Sequence, residues 1–106
     1  MSESAPAEHA GTLTLLVHRT GDDVGVAVRD AEAGQASGAY LDTGARFTIA
    51  VGARVPLGHK VALRDMREDE PVTEYSVPIG RTRCPVAAGD HVHTHNLRSA
   101  RWQRSV

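Results

Sequence analysis

The chain has 106 residues, of which 41% are hydrophobic, 24% are charged and only 4% are aromatic, and its formal net charge is −1. This length and composition suit one soluble domain with a modest core of Val, Ala, Leu and Ile. A nucleic-acid partner would need a surplus of basic residues and a membrane span a long apolar run, so the sequence argues against both.

Short apolar runs separated by Gly, Asp and Pro predict a mainly β fold with tight turns and little helix. A disordered N-terminal tail is predicted at residues 1–11 and a C-terminal tail at 99–106, on either side of a domain at 12–98. The Gly, Ala and Ser residues of 32–44 predict a loop or a weak helix. Strands are predicted at residues 13–18, 24–28, 45–51, 61–63, 72–75 and 92–97.

A short internal repeat occurs at residues 29–34, 64–72 and 83–92, and each copy begins with an arginine. Each copy predicts a strand end that enters a tight turn. Asp30 and Asp65 are expected to cap these turns or to form ion pairs.

The single cysteine, Cys84, excludes an internal disulfide and fits a reducing compartment. Because it lies among apolar residues, we expect it to be a buried small hydrophobic side chain rather than a nucleophile. The N-terminus has no signal-peptide pattern, and the chain is therefore predicted to be cytoplasmic.

Three of the six histidines stand at every second position in His91-Val92-His93-Thr94-His95. In an extended strand these imidazoles point to one face, which suggests a metal site or a proton-transfer site. Neighbouring residues on that face would lie about 7 Å apart and the outer two about 13 Å apart. Two of the rings could therefore bind one metal ion, whereas all three could do so only if the strand were bent. The alternative is a solvated edge strand with a polar outer face.

Four segments resemble the N-terminal domain of the altronate/galactarate dehydratase family: residues 22–30, 58–65, 79–81 and 88–96. They include Gly58-His59-Lys60 and the histidine row followed by Asn96, and they keep the family's order and approximate spacing over residues 13–98. That domain is of the SAF type, and the related sulfolactate sulfo-lyase carries it as a separate small subunit. The resemblance implies an SAF-type β-clip fold with short strands.

The resemblance also implies a function, namely the small subunit of a sugar-acid dehydratase. Such a hydro-lyase eliminates water from a hydroxy acid to give a 2-keto-3-deoxy acid, which requires a cation, a base and an acid at the reacting carbons. A large dehydratase subunit on a separate chain would complete the site, and the small subunit alone would be inactive. The implied cofactor is a divalent metal such as Fe²⁺. The number of copies of this chain in the assembly is open, with a homo-oligomer as one alternative.

The resemblance assigns roles to residues in three groups. His91 and His93 are candidate metal ligands, His59 and His95 are candidate catalytic residues, and the candidate substrate-binding residues are Lys60, Asn96 and His18. Taken without the family, the same residues also allow a plain turn with a solvated lysine at 58–60.

Two functions of other classes stay open beside the dehydratase subunit. One is a non-catalytic SAF module that binds a small sugar acid or a partner protein, and the other is a stand-alone metalloprotein that uses the His-x-His pattern. Trp102, which lies among arginines near the C-terminus, is either a docking anchor or part of a segment that folds back on the domain.

Overall fold

A computed structural model describes residues 12–99, which form nine β-strands and no helix. The strands are β1 (Leu15–Val17), β2 (Val24–Ala27), β3 (Gly34–Tyr40), β4 (Arg46–Val51), β5 (Lys60–Ala62), β6 (Pro71–Glu74), β7 (Val77–Thr82), β8 (His91–Val92) and β9 (Leu97–Ser99). The prediction of a mainly β fold is confirmed, and none of these described residues belongs to a helix that could cross a membrane. Residues 1–11 and 100–106, which hold Trp102 and most of the two predicted tails, lie outside the described residues.

The strands form two sheets, with the orders β4-β3-β1-β2-β5-β8 and β6-β7-β9. Neighbouring strands are antiparallel except β1 and β3, which are parallel. Buried aliphatic side chains form one cluster around Leu15 and Val61 and a second around Val24 and Val72. The second cluster joins the sheets, because it combines side chains of β2, β5 and β8 with side chains of β6.

A unit made of a strand, a bridged turn and a return strand occurs twice, and β5 belongs to both copies. In the first copy, Ala31 pairs with Val55 between β2 and β5. In the second, Met66 pairs with Val86 between β5 and β8. The first two copies of the short sequence repeat, at 29–34 and 64–72, open these two units, and the third copy lies in the return half of the second unit.

An aspartate before each bridge fixes the turn that faces it. Asp30 accepts a hydrogen bond from the N–H of Leu57 at 2.8 Å, and Asp65 accepts one from the N–H of Ala88 at 2.9 Å. The prediction that these two aspartates cap turns or form ion pairs is confirmed, and Asp30 also pairs with Arg54.

A residue with positive φ follows each bridging residue by three positions. These residues are Gly34, Gly58, Asp69 and Gly89, with φ of 122°, 88°, 61° and 92°. Asp69 adopts a positive φ although it has a side chain, which makes this conformation less favourable than it is for glycine. The backbone conformation therefore repeats even where the residue type does not. Gly89 is the most constrained, because a Cβ there would lie 1.9 Å from the carbonyl oxygen of Ala50.

The prediction of a loop or a weak helix at 32–44 is wrong, because most of that stretch forms β3. β3 pairs with β1 on one side and with β4 on the other, so its conformation depends on partners that are distant in sequence. Gly38 lies under the ring of Phe47, where a Cβ would come within 2.2 Å of the ring. The small residues of this strand therefore make room for an aromatic side chain.

Two other sequence interpretations need correction. The sequence pattern does not predict β7, because Pro78 and Gly80 within it are typical of turns or strand edges. The expected burial of Cys84 is wrong, since its side chain is exposed. It lies in the turn that precedes Val86, and Val86 takes the buried position instead.

Candidate active site

The histidine-rich segment bends instead of continuing as one strand. β8 ends at Val92, and the carbonyl of His93 accepts hydrogen bonds from the backbone N–H groups of Asn96 and Leu97, at 3.0 and 2.8 Å. The strand predicted at 92–97 is therefore wrong, because a turn divides it into β8 and β9.

The buried side chain of Asn96 stabilises this bend. Its Oδ1 accepts a hydrogen bond from the backbone N–H of His93, and its Nδ2 donates one to the carbonyl of His91, both at 2.9 Å. The backbone thus occupies both polar groups of the amide. This geometry favours a positioning role for Asn96, and its predicted contact with substrate stays a prediction.

Four imidazoles gather at the bend, and we call them the histidine cluster: His59, His91, His93 and His95. The ring centroid of His59 lies 5.0 Å from that of His91 and 4.4 Å from that of His93. The His91 centroid lies 5.7 Å from that of His93 and 5.5 Å from that of His95. His59 Nδ1 and His91 Nε2 are 2.8 Å apart and share a hydrogen bond. The bend therefore replaces the long spacing expected of a straight strand.

Burial and mutual repulsion keep two rings of the cluster uncharged. The pKa of His91 is lowered, first by burial and then by electrostatic repulsion from His59, His93 and His95. The pKa of His93, which is exposed, is lowered by partial desolvation, then by repulsion from His59, His95 and Lys60. Because both pKa values fall below the ordinary 6.5, both rings are mainly neutral at pH 7. The neutral ring is the form that binds a metal ion or accepts a proton.

Glu74, a buried carboxylate that the sequence interpretation misses, lies next to two predicted substrate-binding residues. Its Oε1 is 3.7 Å from Lys60 Nζ, and its Oε2 is 3.5 Å from His18 Nε2. A buried carboxylate requires partners of this kind, since an unpaired buried charge is costly. The signal that could have identified Glu74 is its position two residues after Val72, on the inward face of the predicted strand 72–75.

The turn between β6 and β7 holds the ring of His18 in place. Tyr75 and Ser76 form this turn with φ of 58° and 65°, and their N–H groups donate to the carboxylate of Asp22 at 2.9 and 3.1 Å. The rings of Tyr75 and His18 stack, with 3.8 Å between centroids and 18° between planes. Asn and Gly are the usual residues of such a two-residue turn, so Tyr75 and Ser76 depend on these contacts for their conformation.

The donor chemistry of the histidine cluster fits a divalent metal ion, because imidazole binds Fe²⁺, Zn²⁺ and other first-row ions. Within residues 12–99, no three metal-ligating side chains are arranged to hold one ion as they stand. Binding by three rings would therefore require them to turn about their side-chain bonds. The metal-ligand roles of His91 and His93 stay predictions.

The other predicted site residues lie either in the cluster or next to Glu74. His59 and His95 belong to the cluster itself, and Lys60 acts on it electrostatically through His93. His18 and Lys60 both lie next to the Glu74 carboxylate, each near a different carboxylate oxygen. Their catalytic and substrate-binding roles stay predictions.

Residues 13–100 match the family model described as the altronate/galactarate dehydratase SAF domain. The chain belongs to this family. This SAF domain is 42% identical over 93 residues to the (2R)-sulfolactate sulfo-lyase subunit alpha of Chromohalobacter salexigens, covering 86% of the chain and 99% of that subunit. It is 32% identical over 85 residues to the altronate dehydratase of Bacillus subtilis, covering 80% of the chain and 16% of the dehydratase.

A second sulfo-lyase subunit alpha, from Paracoccus pantotrophus, is 39% identical over 56 residues, which is 53% of this chain and 84% of that subunit. The family prediction is confirmed. The SAF domain thus occurs among these relatives both as nearly a whole subunit and as 16% of a longer chain.

Proposed function

We propose that this SAF domain is the small subunit of a lyase that acts on a hydroxy acid, and that a large subunit on a separate chain completes the active site. The observation that carries the proposal is the match over 99% of the sulfo-lyase subunit alpha. A dehydratase that contains the same domain within a longer chain supports the same reaction class. The leaving group is water, as the sequence resemblance implies, or sulfite.

The proposed reaction begins when a base removes the proton from the carbon next to the substrate carboxylate. The substituent on the neighbouring carbon then departs with the electron pair of its bond, and the enol product tautomerises to a 2-keto acid. Negative charge develops beside the carboxylate during this step, so cationic groups there lower the barrier. Lys60, whose side chain is partly exposed next to the cluster, is the proposed partner of the carboxylate.

The histidine cluster supplies the proton-transfer groups in this proposal. His59 and His95 exchange protons with the substrate and the leaving group, and the hydrogen bond to His91 holds the His59 ring in place. His91 and His93 are the proposed ligands of a divalent ion such as Fe²⁺, and their lowered pKa values support that role. When bound, the ion would supply positive charge next to the substrate carboxylate.

The proposed partners are the large lyase subunit and a small hydroxy acid of the sugar-acid kind. We place the assembly in the cytoplasm, because the only cysteine, Cys84, is an unpaired and exposed thiol.

Co-expression with a candidate large subunit tests the proposal. The purified complex is incubated with sulfolactate, altronate and galactarate, and 2-keto acid is quantified as its hydrazone. Sulfite is measured in parallel, after removal of the protein, by its cleavage of an aromatic disulfide reagent, which distinguishes the two leaving groups. We expect turnover of at least one substrate by the complex and none by the isolated small subunit. Equal turnover by the isolated subunit, or failure of every candidate large subunit to bind, would contradict the proposal.

A matched pair of variants tests the proposed role of Lys60. Lys60→Met should raise KM by about tenfold or more, because it removes a charged partner of the substrate carboxylate. Arg54→Met removes another cation, one that pairs with Asp30 in a turn, and should leave KM unchanged. An unchanged KM in Lys60→Met would exclude the carboxylate contact.

A further inference from the structure

The tip of the β6–β7 hairpin presents an exposed apolar surface that the site described above does not use. Tyr75 is 55% exposed and Val77 is 51% exposed, and Pro78 beside them is also exposed. The other large exposed apolar side chains of residues 12–99 are Val28, Leu41 and Leu57, none of which lies in this hairpin. Single exposed apolar residues are ordinary, whereas a group of them indicates an interaction site.

The tip is also held in a fixed conformation. Asp22 accepts hydrogen bonds from both N–H groups of the turn, and the ring of His18 stacks on Tyr75. Tyr75 and Ser76 both adopt a left-handed φ that glycine would adopt at lower cost. An exposed tyrosine kept in such a conformation suggests a function for its side chain. A ring that is ordered before binding also loses less entropy when a partner covers it.

The hairpin tip is continuous with the candidate active site. Glu74 directly precedes Tyr75 and contacts the ammonium of Lys60 at 3.7 Å. Lys60 in turn directly follows His59, a member of the histidine cluster, at the start of β5. A chain that covers the histidine cluster from the side of Lys60 therefore reaches the tip as well.

The last described strand points toward the same tip. Leu97 of β9 lies opposite Thr82, and Ser99 lies opposite Gly80, so each later residue of β9 faces an earlier residue of β7. β7 begins at Val77, next to the turn. The described chain therefore ends at Ser99 with β9 running toward the tip.

We propose that Tyr75, Val77 and Pro78 form the surface on which the large subunit of the lyase docks. The inference rests on the proposed function, because it takes the large subunit as the occupant. The partner surface should offer an apolar pocket for the tyrosine ring and a hydrogen-bond partner for its hydroxyl, which a buried tyrosine requires. Docking at this tip would cover the candidate active site next to Lys60 and exclude water from it.

Glycine substitutions separate docking from folding at this tip. Tyr75→Gly removes the ring and relieves the left-handed φ, so we expect Tm to stay within about 5 °C of wild type. The Kd for the large subunit should rise about tenfold or more, as for the loss of a central aromatic residue of an interface. Ser76→Gly relieves the neighbouring conformation and keeps the apolar surface, so its Kd should stay within about twofold of wild type.

Two valines provide a second matched pair. Val77→Ser should weaken binding, whereas Val28→Ser should not, because Val28 is 40% exposed but lies at the opposite end of β2 from Asp22. Isothermal titration calorimetry measures each Kd, with the purified large subunit that supports turnover. Hydroxyl-radical oxidation of the wild-type protein is an independent measurement, and Tyr75 should be protected in the complex.

These measurements distinguish the docking proposal from the proposed function. Weakened binding by Tyr75→Gly and Val77→Ser, together with protection of Tyr75, supports docking at the tip. Wild-type Kd values for both variants, with Tyr75 oxidised equally fast in the complex, would overturn the docking proposal and leave the proposed function intact. Absence of binding between the wild-type chain and every large subunit would overturn both.

Discussion

Replacing Asn96 by alanine should destabilise the domain and separate the rings of the histidine cluster. The substitution removes two 2.9 Å hydrogen bonds, one with the N–H of His93 and one with the carbonyl of His91. Each bond contributes about 1 kcal/mol, and a buried backbone group left unpaired costs about 1–3 kcal/mol. Water can reach part of the turn, because His93 is exposed and His91 is half-buried. We therefore expect a loss of about 2–3 kcal/mol in the free energy of unfolding.

Urea denaturation followed by circular dichroism measures this loss, and the corresponding decrease in Tm is about 10–20 °C for a domain of this size. Long-range ¹H–¹⁵N correlation spectra measure the state of the imidazoles. In the wild type, the hydrogen bond between His59 and His91 should fix one tautomer of each ring. In Asn96→Ala, both rings should show the averaged pattern of free imidazole.

Asp65→Ala is the matched control, because it removes one side-chain hydrogen bond to the backbone of Ala88 in an exposed turn. It should lower stability by a smaller amount and leave the imidazole spectra unchanged. A loss below about 0.5 kcal/mol in Asn96→Ala would refute the hydrogen-bond reasoning. A large loss with wild-type imidazole spectra would refute the positioning role of Asn96.

Two other predictions concern stability. In chemical denaturation, Gly89→Ala should lower the free energy of unfolding by about 3–5 kcal/mol and Gly58→Ala by about 1–2 kcal/mol. Both glycines have a positive φ, but only a Cβ at Gly89 would collide with a backbone oxygen, that of Ala50. Equal costs would contradict this. The lowered pKa values of His91 and His93 mean that the unfolded chain binds more protons just below pH 6.5. The free energy of unfolding should therefore be highest above pH 6.5 and decrease as the pH falls through the pKa values of the two histidines in the folded state. Denaturation measured from pH 5 to 8 tests this, and a free energy that does not change with pH would contradict it.

The sequence predicts best those parts of the fold in which local pattern and burial agree. The alternation in residues 45–51 predicts a strand, and β4 covers 46–51 of it. β3 could not be predicted in this way, because a strand rich in Gly, Ala and Ser is stabilised by its pairing with β1 and β4. Tertiary pairing, rather than local propensity, decides such a segment.

The candidate site was predictable in its residue types and only partly in its geometry. The alternating histidines identify the segment, but the strand pattern predicts a straight row. The bend depends on the side chain of Asn96, and its position just after the row is the local signal for a turn. Glu74 and Tyr75 were harder to predict, because their contacts with His18 and Lys60 join strands far apart in the sequence.

The repeated unit has a consequence for how such a site can arise. The glycine of positive φ is followed by His59-Lys60 in one unit and by Asp90-His91 in the next. The strands that follow these two glycines, β5 and β8, are neighbours in the sheet and lie about 4.8 Å apart, with Val61 opposite His91. A repeated turn thus brings His59 and His91 into hydrogen-bonding distance, although the histidine stands one residue after the glycine in one unit and two residues after it in the next. A site of this kind can gain functional groups by adding a unit at the edge of the sheet, without any change in the rest of the fold.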